Sequence, residues 1–101
     1  MILSSRRNIT PGGVNRIDFP VLQCWNPMTK VATIAAQVNG RRVSCRISSA
    51  TLQKKFLASA DSPPMQAITE NRWQIETAAR RLIENEAYEE DGSIVIQLKD
   101  L

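Results

Sequence analysis

The stretch Val31-Ala32-Thr33-Ile34-Ala35-Ala36-Gln37-Val38-Asn39-Gly40-Arg41-Arg42-Val43-Ser44-Cys45-Arg46-Ile47-Ser48 sets two β-like runs on either side of one Asn-Gly pair. A two-residue type I′ turn needs positive φ at both central positions, and Asn-Gly tolerates this best, so the stretch predicts a hairpin. Pairing outward from the turn places Val38 opposite Arg41, Ala36 opposite Val43, Ile34 opposite Cys45 and Ala32 opposite Ile47, all on one face. That face is nearly all apolar and is expected to line a core. The other face carries Thr33, Ala35 and Gln37 on one strand and Arg42, Ser44 and Arg46 on the next, and is expected to meet water or a partner.

Downstream of the hairpin, Ser48 or Ser49 is placed to cap a short helix on which Leu52 and Phe56 share one side, with Lys54 and Lys55 outward near its C-terminal end. Residues 59–64 read as a connector, with Ser62 as a cap and Pro63 at the first helical position. A long helix is expected to follow. Its apolar stripe is Met65, Ile68, Ile75, Ala79, Leu82 and Ile83, running to about Tyr88, and Asp91-Gly92 stops it. Residues 93–98 read as a last strand, with Ile94, Ile96 and Leu98 on one face.

Upstream, Ile17-Asp18-Phe19 alternates before Pro20 and reads as a short edge strand, while Trp25 and Pro27 are assigned to a loop. Residues 1–16 hold Pro11, Gly12, Gly13, Arg6, Arg7 and Arg16 with little periodicity, and read as a flexible arm before a domain spanning 17–101. The expected architecture is α+β and two-layered. An antiparallel-rich sheet of three to four strands, the hairpin plus the C-terminal strand, is covered on one face by two helices.

A chain of 101 residues fits one domain, and 43% hydrophobic with 23% charged residues is ordinary globular usage, so the chain is expected to fold alone. Charges or prolines interrupt every apolar run before the roughly 20 residues a membrane span needs. Arg6-Arg7 superficially resembles a twin-arginine export signal, but Thr10-Pro11-Gly12-Gly13 stands where an apolar segment belongs, so an uncleaved, cytoplasmic chain is expected. Cys24 and Cys45 have no CxxC spacing and there is no histidine, which removes the usual zinc ligands; both are expected as thiols, with a Cys24–Cys45 bridge as the alternative.

Net charge is +3, but it is unevenly spread. Residues 1–57 hold nine Lys/Arg against one Asp, and residues 58–101 hold four against nine Asp/Glu. Such asymmetry either solvates two faces or marks an interaction. Arg72 falls inside the apolar stripe between Ile68 and Ile75, and is read either as a structural arginine satisfied by Glu76 and backbone carbonyls or as an anion-binding group at a groove between helix and sheet. Trp73 projects opposite the stripe, covered by the arm or Trp25, or else anchoring a contact between molecules. Arg41, Arg42, Arg46, Lys54 and Lys55 are close in sequence and form a candidate phosphate-contacting patch, although the outward face supplies none of the stacking aromatics that open sheets use on single strands. Gly12-Gly13 lacks the features of a phosphate loop, the glutamates near the helix end suit a solvated face, and Cys45 is core-facing, so no catalytic, metal or cofactor site is assigned.

Phe19, Trp25, the Gln37-Val38-Asn39-Gly40 turn, Val43-Ser44-Cys45-Arg46-Ile47-Ser48, Leu52, Asn71-Arg72-Trp73-Gln74-Ile75-Glu76 and Asp91-Gly92 together resemble the domain-of-unknown-function 1488 family of small bacterial proteins. The resemblance covers roughly residues 17 to 98, and its most specific parts are Cys45-Arg46-Ile47-Ser48 and Asn71-Arg72 with Ile75-Glu76. Ile34, Ala36 and Ile68 depart from it, standing where aromatic residues are common. The resemblance implies a compact two-layer domain with no established activity and no known cofactor. The leading expectation for function is a non-enzymatic interaction or regulatory domain that docks on a protein partner or on itself as a homodimer. Its rival is a nucleic-acid-binding transcriptional regulator using the five basic residues of the hairpin and first helix.

Overall fold

The computed structural model describes residues 16–56 and 63–101. The expected arm through residue 15, and Ser62 with most of the connector, lie outside the described residues. In chain order the elements are β1 (Ile17–Asp18), β2 (Gln23–Asn26), β3 (Val31–Val38), β4 (Arg41–Ser48), α1 (Ser49–Phe56), α2 (Pro64–Glu70), α3 (Arg72–Glu84) and β5 (Ile94–Ile96), followed by a 3-10 turn at Leu98–Asp100. The class is the expected α+β, with five strands in one mostly antiparallel sheet and three helices.

The hairpin forms in the register read from the turn, with Ile34 opposite Cys45 and Ala36 opposite Val43. Asn39 at φ 54° and Gly40 at φ 85° supply the two left-handed residues it needs. The same Asn39 binds Arg16, accepting its backbone N–H at 3.0 Å and donating back to its carbonyl at 2.8 Å. Arg16, the last residue of the expected arm, is thereby held against the hairpin turn.

β1 and β2 are two pieces of one edge strand, both paired antiparallel to β3. Asp18 faces Gln37 and Gln23 faces Ile34, so four residues of the edge oppose two of β3 and the edge bulges around Pro20. Two extra residues leave the side chains in phase. Trp25 therefore lies in β2 and packs against the core, a correction to its assignment as a loop residue. On the other side, β5 runs parallel to β4, with Ile94 opposite Cys45 and Ile96 opposite Ile47, as a connection through three helices permits. Leu98 leaves the strand for the 3-10 turn and is exposed, another correction.

Ser48 caps α1 by accepting the Thr51 N–H at 3.2 Å, and Pro64 occupies the first turn of α2, one residue beyond the expected proline. The expected long helix is broken at Asn71. There the side-chain Nδ2 donates to the Ala67 carbonyl at 2.8 Å while the Asn71 backbone N–H donates to the same oxygen at 3.1 Å, and φ −119° takes the residue out of the helix. The apolar stripe survives the break, with Ile68, Ile75, Ala79 and Ile83 all fully buried against Ile34, Ile47 and Leu52.

α3 ends at Glu84 rather than near Tyr88, because Glu86 turns left-handed at φ 55° and closes a Schellman motif: Ala87 N–H donates to the Leu82 carbonyl and Glu86 N–H to the Ile83 carbonyl. Asp91-Gly92 instead forms the next turn, which feeds β5. A glutamate at the position that glycine usually fills carries a Cβ penalty of roughly 1 kcal/mol. Glu86→Gly is expected to raise stability by about 0.5–1 kcal/mol, seen as a higher urea midpoint at unchanged slope. A lower midpoint would mean that the Glu86 side chain contributes more than its backbone strain costs.

Candidate functional site

The bulge in the edge strand frees the Pro20 carbonyl from any cross-strand partner, and Arg72 at the start of α3 reaches it. Arg72 Nη2 donates to Pro20 O at 2.8 Å, Nη1 to Gln23 Oε1 at 2.6 Å and Nε to Glu76 Oε2 at 2.6 Å. The pair is largely enclosed, with side-chain exposures of 19% for Arg72 and 29% for Glu76. Each of these guanidinium nitrogens is thus engaged by a protein acceptor. Gln23 also donates to Thr69 Oγ1, and Arg80 lies over the Phe19 ring at 5.5 Å, so α2 and α3 grip both ends of the bulge.

The five basic residues of the candidate patch are divided between two layers. Arg42 and Arg46 stand on the sheet face that the helices leave uncovered, four residues apart on β4 with Ser44 between them. Arg46 is pinned there by Ser93 Oγ at 2.6 Å and Asp91 Oδ2 at 3.3 Å. Arg41 pairs opposite Val38 at the hairpin turn, on the alternate face. Lys54 and Lys55 belong to α1, and Lys55 lines a depression on the helix layer. The two lysines thus stand on a different layer from Arg42 and Arg46, while Arg41 and Arg42 share a depression with Tyr88 and Asp91 at the end of the sheet.

The depression beside Lys55 is built around Trp73, with Arg81, Asp100 and Leu101 on its walls. Trp73 is 77% exposed, so Trp25 does not cover it.

The two thiols are separated by the sheet itself. Cys24 pairs with Thr33 and is exposed on the open face, whereas Cys45 pairs with Ile34 and is buried on the core face, so no bridge joins them. Burial pushes the Cys45 thiol up to about 12, against a smaller opposing pull from the Arg72 guanidinium. A thiol held neutral in this way is a poor nucleophile at neutral pH. Asp91 is shifted the other way, below the usual carboxylate range, by the Ser93 hydroxyl and backbone N–H and then by Arg46. Among the described residues no three His, Cys, Asp or Glu side chains gather as a metal site, and no helix is long and apolar enough to cross a membrane.

A short interrupted edge, a central hairpin, a parallel last strand and helices on one face define a small two-layer α+β protein with one sheet face open. Residues 17–96 match the family described as protein of unknown function (DUF1488), and the chain belongs to that family. It is similar to the uncharacterized protein YrdB of Escherichia coli (strain K12), 28% identical over 76 residues that cover 75% of this chain and 89% of the relative. YrdB of Shigella flexneri matches to the same extent. A crystal structure of a protein of unknown function from the DUF1488 family of Shewanella loihica PV-4 superposes with a TM-score of 0.74 at 24% identity, covering 80% of this chain and 91% of that chain, and shows the shared fold.

Sequence reasoning expected Glu76 and backbone carbonyls as partners of Arg72 without saying which carbonyl, and it missed Gln23, Asp91 and Ser93 as partners of the two arginines. Separations of 45 to 52 residues, that of the Pro20 carbonyl included, leave no local pattern to read. The one available signal was the charge of Arg72 inside an apolar stripe, which demands partners and points to Glu76 one turn on but names no distant one.

Proposed function

We propose that this chain is a non-enzymatic interaction domain of the cytoplasm that self-associates through the Trp73 surface. The observation that carries the reading is the 77% exposure of Trp73, a large aromatic held on a helix rather than a loop. Such anchors dominate interfaces between proteins. A two-fold interface brings the same patch against itself, so it must be self-complementary. This patch meets that condition, because Lys55 and Arg81 stand beside Asp100 around the ring, and a two-fold axis near Trp73 sets cations of one copy against Asp100 of the other. The absence of histidine and the enclosed Cys45 thiol support a role without nucleophilic catalysis. The nucleic-acid reading draws no comparable support, since its five basic residues are split between two layers and Arg46 is paired with Asp91.

Light-scattering chromatography of the full chain is expected to give the mass of a dimer at low and at high salt. Trp73→Ser is expected to weaken association by at least about 30-fold, the effect of losing a central aromatic anchor, with the far-ultraviolet circular dichroism unchanged. A wild-type monomer at all accessible concentrations, or a Trp73→Ser protein that dimerises equally well, would overturn the proposal.

A further inference from the structure

The sheet face away from the helices holds two adjoining depressions that share Thr33 and Arg46. One, of about 270 Å³, is walled by Arg42, Ser44, Asp91 and Ser93; the other, of about 330 Å³, is walled by Asn26, Thr29, Val31, Ser48 and Val95. Together they form a trough that is polar and cationic at one end and more apolar at the other. Arg46 lies at the junction in a fixed orientation, since its Nη2 is bound to Ser93 and Asp91. Its Nε is enclosed without a partner, and its Nη1 makes no bond among the described residues. Arg42 forms neither a hydrogen bond nor an ion pair among the described residues. The two arginines are four residues apart on one face of β4, with Ser44 between them, so their Cα atoms stand about 13 Å apart and their long side chains line the same depression.

The charge of the site selects the ligand. Asp91 is held ionised by Ser93, so two guanidinium groups face one carboxylate and the site carries one uncompensated positive charge. A carboxylate monoanion neutralises that charge, whereas a phosphate dianion would leave excess negative charge beside Asp91. Guanidinium donors and carboxylate oxygens also match in geometry. The apolar half admits a body of about ten non-hydrogen atoms at roughly 30 Å³ each. We propose that this trough binds a small carboxylic acid, its carboxylate received between Arg42 and Arg46 and its short, partly apolar body lying over Val31 and Val95. The site is on the opposite layer from Trp73 and does not depend on self-association.

Titration calorimetry of the full chain at low salt, with N-acetyl-L-leucine as probe, tests this. Saturable binding is expected with a dissociation constant below about 10 mM. Arg42→Gln is expected to weaken it at least about tenfold, as is replacing the probe by its uncharged amide. Because Arg42 is exposed and its side chain makes no hydrogen bond or ion pair among the described residues, that variant should keep the wild-type unfolding midpoint. Trp73→Ser is expected to leave binding unchanged. No saturation, tighter binding of inorganic phosphate, or an Arg42→Gln protein with wild-type affinity would each overturn the assignment.

Discussion

Replacing Arg72 with methionine is expected to lower the stability of the fold by about 2–4 kcal/mol, read from urea unfolding. The side chain joins three parts of the chain: α3 through Glu76, β2 through Gln23, and the bulge through the Pro20 carbonyl. Methionine preserves much of the apolar stem and removes all three bonds. Two neutral acceptors then lose their donor, each costing about 1 kcal/mol when enclosed, and Glu76 keeps a charge without its counter-ion. The 29% exposure of Glu76 lets water reach it, which holds the total below the figure for a fully buried pair. Arg72→Lys is expected to rescue little, because an ammonium on a flexible stem does not reproduce a planar fork aimed in three directions. Replacing Glu76 by leucine as well as Arg72 by methionine is expected to recover part of the loss, since the orphaned charge goes with it. A loss under about 0.5 kcal/mol for the single variant would show the guanidinium to be solvated rather than structural.

Residues that act within a few positions of one another were legible in the sequence. Asn39-Gly40 fixes a turn, the turn fixes the register, and the register assigns each side chain of Val31–Ser48 to a face without distant information. Ser48 as a cap and the stripe through Ile68, Ile75 and Ile83 are local in the same sense. What escaped was decided by competition or by distance. At Asn71 the apolar period runs straight through, and only the hydrogen bond of its side chain to the Ala67 carbonyl shows that the helix yields there. Trp25 lies in a four-residue strand between two prolines, after a bulge that hides the alternation with Ile17, so its pattern looks like a loop until β3 is set beside it. Arg46 looked like one charge of a basic patch, because Asp91 and Ser93 join it only when β5 pairs alongside β4. The open face could be named from alternation alone, but its trough could not, since the walls come from the β2–β3 turn and from the segment before β5.

Above pH 9 the stability of this protein is expected to fall more steeply than that of a variant lacking the Cys45 thiol. The thiol is fully buried, and burial carries its pKa from 9.0 to about 12, so the thiolate is strongly favoured in the unfolded chain. A folded-state pKa above the unfolded one means that the folded chain holds the proton more tightly. The contribution is therefore complete below pH 9 and is lost as pH climbs from 9 towards 12. The limiting slope is about 1.4 kcal/mol per pH unit, which bounds the loss at about 4 kcal/mol across that window. Cys45→Ala should begin less stable at pH 8, because the buried site loses packing, yet its stability should decline less steeply above pH 9. Tyrosine and lysine titrate in both proteins, so the difference between their urea midpoints from pH 8 to 11 isolates the thiol. Arg72 opposes the shift, so in the Arg72→Met protein the decline should continue to a higher pH at the same limiting slope. A thiol-labelling reagent at pH 8 gives an independent reading: the exposed Cys24 should react at once, and Cys45 only as fast as the fold opens. Parallel midpoint curves for wild type and Cys45→Ala, with both cysteines labelled at one rate, would mean that water already reaches the face of the sheet on which the core is built.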